Sequence, residues 1–467
     1  MKKILTIALV ALLAASSVFA GLSGYSNLGF GYNSKSGKFG FNPSSALSID
    51  LDVATAEGSN IGEGDIYAGI DASVTLKLID TMDVKKALIA TDKWNDSNST
   101  GYYSVGVFAA INSAYIAGQD WKVSFGTASS NPVNFASSAI DTYKNKVWDT
   151  YHNAWADVKK SAVSYSAPYV GSNGLAATYK DYTVGIGFDG FKSGDDVLME
   201  YTGYVLTPEI ALGDASVKFG GVFSQGYTEE DDGSYTKNKP NAGASLQAAY
   251  ATDKFSAKAA ADFGLENIGA EDGNKFHFDA AANFKYDFVS ADVYYADYFS
   301  TYEYKIDGAT GVVLQKTTAT EYENLLSAKA SVDLKSFDVP VALTLTGKNL
   351  INTQDLSAEV KVSVSEAFSF KIKGGYVIKD KKLTAGGTVE YKAEKFTASA
   401  EASFTLKDNG EKQLYPTVVV SSDALVNGAT LELSWKPVKD YAGDTKTNLL
   451  DSSKDFGQIY ATAKLAF

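Results

Sequence analysis

Two histidines, His152 and His277, and no cysteine bound the chemistry open to this 467-residue chain. Asp279 follows His277 by two positions, so on a strand the two share a face and permit a carboxylate–imidazole pair. Such a pair becomes catalytic only when a Ser or Thr hydroxyl is brought to the ring, and nothing in the spacing brings one there. The plain reading is a hydrated pair. Without thiolates or clustered histidines the chain lacks the usual donors of a transition-metal site. The run Glu229-Glu230-Asp231-Asp232 precedes Gly233, but its spacing is not that of a calcium loop, so it is expected to be a solvated face. No cofactor, no metal and no enzymatic activity are expected.

The remaining ionisable residues are many and regularly placed. Asp50, Asp52, Asp71, Asp262, Asp279, Asp333, Glu359, Glu390, Glu401 and Glu432 alternate with apolar neighbours. Lys77, Lys258, Lys285, Lys329, Lys361, Lys371, Lys373 and Lys464 do the same, and His277 falls among them. A lysine in hydrocarbon costs ~2–4 kcal/mol at a bilayer midplane, so a face this charged must meet water. These positions are the candidates for the lining of a polar conduit. All 42 basic residues are lysine and none is arginine.

The elements that would carry these residues are strands. Leu47, Ile49, Leu51 and Val53 alternate with Ser48, Asp50 and Asp52. The alternation from Ile66 to Leu78 outruns the ~5–6 residues of an ordinary soluble strand and covers the ~9–11 that cross a bilayer. From Val197 onward a unit recurs: strand, short turn, strand, longer polar loop. Short turns are expected at Thr207-Pro208-Glu209, 251–254, Asp287, 335–339, 365–367, 392–395 and Asn427-Gly428. Longer loops are expected at 225–241, 266–274, 299–320, 348–355 and 437–455. Aromatics straddle the short turns, as with Tyr250 and Phe255, Tyr286 and Phe288, and Tyr391 and Phe396. Eight residues on from Phe255, Phe368 and Phe396, the same faces carry Phe263, Tyr376 and Phe404, a separation suited to two interfacial belts. Residues 174–188 read as a single strand, with another at 161–167. Between 140 and 158, Ile140, Tyr143, Val147, Trp148, Tyr151, Trp155 and Val158 recur at helical spacing, which predicts a helix in a long loop, either capping the structure or folding into it.

The two ends agree. Lys2 and Lys3, an apolar run over 4–13, and small residues at Val18 and Ala20 predict a secretory signal cleaved after Ala20. No other stretch has the ~18 uninterrupted apolar residues of a membrane helix. The formal charge is −13, and loss of Lys2 and Lys3 makes it two units more negative, which disfavours nucleic acid as a partner. The last residues alternate strictly: Ile459, Ala461, Ala463, Leu465 and Phe467 on one face, Gln458, Tyr460, Thr462 and Lys464 on the other. This ending resembles the C-terminal signal strand of bacterial outer-membrane β-barrels. The resemblance implies recognition of Leu465 and Phe467 by the barrel assembly machinery.

Taken with the alternation and the turn–loop asymmetry, residues 21–467 resemble a porin-like outer-membrane β-barrel. The expectation is an all-β chain: one transmembrane antiparallel up-and-down β-barrel of about 22 strands, within roughly 16 to 24. Its partners would be outer-membrane lipid and small hydrophilic solutes diffusing through a water-filled lumen. Assembly into a homo-oligomer is left open. An arginine ladder facing acids, familiar in porins, cannot be built from this sequence. The other reading that the pattern allows is a surface-exposed structural protein or adhesin that displays its loops on a barrel.

Overall fold

The computed structural model describes residues 22–33, 38–41, 46–54, 66–80, 103–126, 133–136, 144–149, 154–159, 174–193, 196–229, 234–271, 273–306, 313–426, 429–437, 448–450 and 456–466. Period-two alternation becomes strand nearly everywhere within them. The first strands are β1 (Leu22–Asn33), β2 (Lys38–Phe41), β3 (Ala46–Ala54), β4 (Tyr67–Asp80), β5 (Tyr103–Ala117), β6 (Trp121–Gly126), β7 (Lys144–Asp149), β8 (Ala154–Lys159) and β9 (Gly174–Tyr179). Then come β10 (Tyr182–Ser193), β11 (Asp196–Leu206), β12 (Ile210–Leu212), β13 (Ala215–Gln225), β14 (Tyr227–Glu229), β15 (Tyr235–Lys237), β16 (Asn241–Ala251), β17 (Phe255–Glu266), β18 (Lys275–Tyr286) and β19 (Val289–Ile306). The last are β20 (Val313–Asp333), β21 (Val341–Lys348), β22 (Asp355–Ser363), β23 (Phe368–Val377), β24 (Lys382–Lys392), β25 (Thr397–Leu406), β26 (Lys412–Val426), β27 (Ala429–Lys436) and β28 (Gln458–Ala466). No helix among the described residues is long and apolar enough to cross a membrane.

Twenty-six strands belong to one sheet. Antiparallel neighbours run from β1 through β3, β4, β5, β6, β9, β10, β11, β13 and β16, then in chain order to β28. β28 pairs back onto β1, from Tyr25↔Ala466 to Asn33↔Gln458. The circuit therefore returns to its start. With β2, β7, β8 and β12 standing off it, 22 of the 26 strands lie on the circuit. Closure matters physically, because an open edge leaves a row of unpaired N–H and C=O groups.

Three sequence expectations are corrected. Residues 174–188 are two strands, not one: Lys180 (φ 46°) and Asp181 (φ 67°) form a tight left-handed turn, and Tyr182 pairs with Tyr179. Two successive left-handed residues match the twist of a hairpin. No Asn-Gly or Pro marks the turn, and its one sign is a one-residue shift of the alternation, from Leu175 and Tyr179 exposed on one arm to Tyr182, Val184, Ile186 and Phe188 on the other. The expected strand at 161–167 lies outside the described residues; the circuit passes from β6 directly to β9. Residues 140–158 hold no helix where they are described. They hold β7 and β8, which place Trp148 opposite Trp155 in register. The spacing that mimicked a helix is that of two β-rich arms meeting in a hairpin. The loop expected over 299–320 is mostly strand, since β19 and β20 stay paired out to Ile306↔Val313. Its Thr and Tyr residues favour the extended form, and β7 adds alongside as a parallel neighbour of residues 303–306.

The two faces of the sheet differ in kind. Leu246, Phe263, Phe284, Leu345, Val360, Ile372 and Val389 are exposed on the outer face. Near the short turns Tyr250 meets Phe255 at 5.8 Å and Tyr391 meets Phe396 at 6.1 Å. Toward the long loops Phe263, Phe276, Phe278 and Tyr295 stack in one run. The other face carries the charged residues and, between β11 and β20, most of the buried ones. Against this inner face lies a short strap, residues 133–136.

Candidate functional site

The strap has no secondary structure of its own, so its buried N–H groups need partners elsewhere. Asp262 of β17 supplies two of them. Its Oδ1 accepts the N–H of Phe135 at 2.9 Å and its Oδ2 that of Ala136 at 3.0 Å. Asp262 is 0% exposed, so both bonds lie away from competing water, where charged hydrogen bonds are strongest. The apolar side chains fix the rest. Val133 packs with Val222, Tyr204 and Leu206. Phe135 and Ala136 join Ala260, Ala281, Tyr294, Ala296 and Leu325. Gly220 makes room for them: a Cβ there would lie 2.9 Å from Val133 Cγ1 and 3.2 Å from Phe135 Cζ. Lys218 Nζ stands 5.0 Å from the centre of the Phe135 ring, within cation–π reach.

Asp279 is the direct Cα partner of Asp262 and is 1% exposed. Its Oδ2 accepts the Tyr294 hydroxyl at 2.7 Å. The acid that approaches the His277 ring is not the Asp279 that the spacing permits. His277 Nδ1 lies 3.5 Å from Asp297 Oδ2. Asp297 lies between the pairs Ala296↔Leu325 and Tyr298↔Glu323 of β19 and β20, and its Oδ1 accepts the N–H groups of Phe278 and Tyr298. No periodicity in the sequence announces this placement. Among the described residues no group of three or more His, Asp and Glu could hold a metal.

The other candidates divide by wall. Lys258 and Lys285 lie in register with Asn283 and Ser256 on the strands beneath the strap, and both are exposed. Asn283 donates to Asp292 at 2.6 Å, and Asp292 lies opposite Lys329. Asp333 ends β20 and accepts the N–H of Lys335, capping the short 3-10 turn Leu334–Phe337. Beyond it Lys361, Lys373 and Glu401 are exposed on the inner face. Glu359 is 3.8 Å from Lys371 and opposite Lys373, while Lys361 is opposite Lys371. Glu390 pairs with Lys392 at 3.2 Å and Glu432 with Lys464 at 3.0 Å. Glu401 is opposite Thr388 and exposed. In the first strands, backbone register sets Asp52 opposite Asp71, Asp50 opposite Ser73 and Lys77 opposite Ala46. Leu465 pairs with Ser26 and Ala429. Phe467, His152 and the leader lie outside the described residues.

Sequence reasoning did not single out the strap, Tyr294 or Asp297. The available signal was the alternation of Val133 and Phe135 about Asn134.

The chain matches no protein-family model and no curated protein. Among solved structures it is similar to a mutant of the ferric enterobactin receptor PfeA of Pseudomonas aeruginosa, at 9% identity over 96% of this chain and 80% of that one, with a TM-score of 0.48. It is similar to the translocation pore of the P pilus usher PapC, at 10% identity over 95% and 99% of the two chains, TM-score 0.38. A Rh. blastica porin mutant aligns at 10% identity over 96% and 99%, TM-score 0.30. Likeness of this degree leaves the reading of function to the chain's own residues.

Proposed function

We propose that this chain is an outer-membrane channel that lets small hydrophilic solutes diffuse passively through its lumen. One observation carries the reading: a closed circuit of strands whose outer face is apolar and whose inner face is charged and partly bare. The outer side chains would be a liability in water, since exposed apolar patches of this extent are rare on soluble monomers. In a bilayer they face hydrocarbon, with the two aromatic runs at the interfaces. Inside, the strap covers the β11–β20 wall, whereas Lys361, Lys373 and Glu401 remain exposed on the β22–β25 wall. That bare wall is where water and solute would pass. Binding at a single site is not required; wall charge and cross-section set what passes.

Purified protein in a planar lipid bilayer tests this. Stepwise conductance increments are expected, along with uptake of small sugars by proteoliposomes. A folded barrel that inserts and stays silent would remove the channel reading and leave a surface scaffold.

A further inference from the structure

The outer face is hollowed between β19 and β24. A cavity of about 800 Å³ opens there, within the ~300–1,000 Å³ of pockets that take a whole small ligand. Register explains it. Ala328 lies beside Gly347, and Ala358 beside Gly374, so small residues floor a face built elsewhere of Leu, Val, Ile and Phe. A Cβ added at Gly374 would meet nothing within 4 Å. Leu356, Tyr376 and Leu383 form one cross-strand row at the loop end. They are 44%, 42% and 44% exposed, so the hollow is open to whatever surrounds the barrel.

The loop end of the hollow is charged. The β23–β24 turn, residues 378–381, lies directly beyond Tyr376 and Leu383. It rests on the β21–β22 loop, where the Ile378 N–H donates to the Gln354 carbonyl at 3.2 Å and the Lys379 N–H to the Thr353 carbonyl at 3.3 Å. Lys379 and Lys381 are exposed on this turn. Lys381 comes within 3.7 Å of Asp408, but the two side chains are 65% and 64% exposed. Such a pair is weak, and the ammonium keeps further donors to offer. Hydrocarbon in the hollow and ammonium groups at its end repeat the order of an anionic lipid read from tail to head.

We propose that this hollow is a binding site for one anionic phospholipid, its acyl chain lying over Gly347, Ala358 and Gly374 and its phosphate at Lys379 and Lys381. The site needs the outer face to lie in a bilayer, not the lumen to conduct. A flexible chain makes dispersion contacts throughout a concavity, whereas the convex wall of another barrel leaves it unfilled. A second copy set patch to patch in the same membrane would also bring Lys379 and Lys381 against their own counterparts, where like charges repel. An anionic headgroup is attracted by the same lysines.

Lipid retention by the intact protein tests this. Native mass spectrometry of barrel extracted from vesicles of equal parts phosphatidylglycerol and phosphatidylcholine should show one phosphatidylglycerol held per chain. Gly374→Leu fills the hollow from a position with open space around it and should cut that retention at least roughly tenfold. Lys379→Gln with Lys381→Gln alters only exposed turn residues and should erase the preference for phosphatidylglycerol over phosphatidylcholine. Heat-modifiability reports folding, and the lysine variant decides alone if Gly374→Leu misfolds. Equal retention in wild type and folded Gly374→Leu would overturn the proposal, as would a headgroup preference that survives the double lysine change. Dimers that Gly374→Leu abolishes, with no lipid retained, would give the hollow to a second copy instead. A silent barrel with the expected lipid pattern keeps the site and removes the channel; a conducting barrel without it does the reverse.

Discussion

Asp262 and Asp279 face one another across β17 and β18, yet their carboxylates serve different neighbours. Asp262 turns to the strap backbone, and Asp279 accepts the Tyr294 hydroxyl of β19. Two acids side by side in a dry patch repel, so each needs donors of its own. The pair therefore ties three strands and one loop segment into a single buried polar layer.

Removing one of those donors should be felt. Tyr294→Phe keeps the ring in the apolar cluster but deletes the hydroxyl that reaches Asp279. The expected loss is about 1–3 kcal/mol, the usual cost of leaving a buried acceptor unpaired. Urea unfolding of the refolded barrel in detergent checks it. An unchanged midpoint would mean that Asp279 finds another donor at no cost.

Neighbouring positions on opposite faces give a test of orientation. Val360→Lys puts an ammonium on the outer face and should cost about 2–4 kcal/mol in a bilayer if it lies near midplane. Lys361→Gln, one residue on, changes only the inner wall and should fold normally. The fraction of heat-modifiable barrel after refolding into vesicles measures both. Equal behaviour of the two variants would contradict the assignment of faces.

Strand existence was legible because each face has one solvent, and alternation records that residue by residue. The short turns at 251–254 and Asp287 follow from it, whereas the expected count of about 22 took 174–188 as one strand and placed another at 161–167, where the circuit instead runs from β6 to β9 and β10. What alternation cannot record is a contact between side chains on different segments. Asp297 comes within 3.5 Å of His277 from the next strand, and the strap meets Asp262 across 126 and 127 positions of chain. The hairpin at Lys180-Asp181 left a faint sign: the exposed face moves from odd positions, Leu175 and Tyr179, to even ones, Tyr182 to Phe188, and no Asn-Gly or Pro accompanies it. Trp148 and Trp155 misled in the opposite sense, since a seven-residue spacing fits two helical turns as well as a hairpin pair.

A pH effect is expected at the loop joining β25 and β26. Glu411 receives hydrogen bonds from Lys407 and then Gln413, with the Lys407 charge adding to them, and these hold its carboxyl below the ordinary 4.5. A depressed carboxyl contributes order that is present above its unfolded value and is lost as pH falls through the folded one. The Lys407–Glu411 bridge, 2.9 Å, should therefore persist at neutral pH and break only in acid below 4.5. Lys407→Ala should move the Glu411 titration back up. Carboxyl NMR shifts against pH read this, and an unchanged titration would exclude the bridge.

Ion selectivity follows from which wall charges are already spent. Lys371, Lys392 and Lys464 lie against Glu359, Glu390 and Glu432, so those pairs present little net field. Lys361 and Lys373 lie on the bare wall, exposed, and they oppose the acidic balance of the chain as a whole, −13. Screening at physiological salt acts within ~8 Å, so in a wide lumen neither sign can dominate. The expected outcome is a weak cation preference that fades as salt rises, with acidic loops enriching cations at the mouth. Converting Lys361→Glu and Lys373→Glu together replaces two exposed cations of that wall by anions and should strengthen that preference severalfold at low salt. Reversal potentials across a potassium chloride gradient measure it in both proteins. A wild-type preference for chloride would place Lys361 and Lys373 at the narrowest point of the path, and the double variant should then reverse its sign.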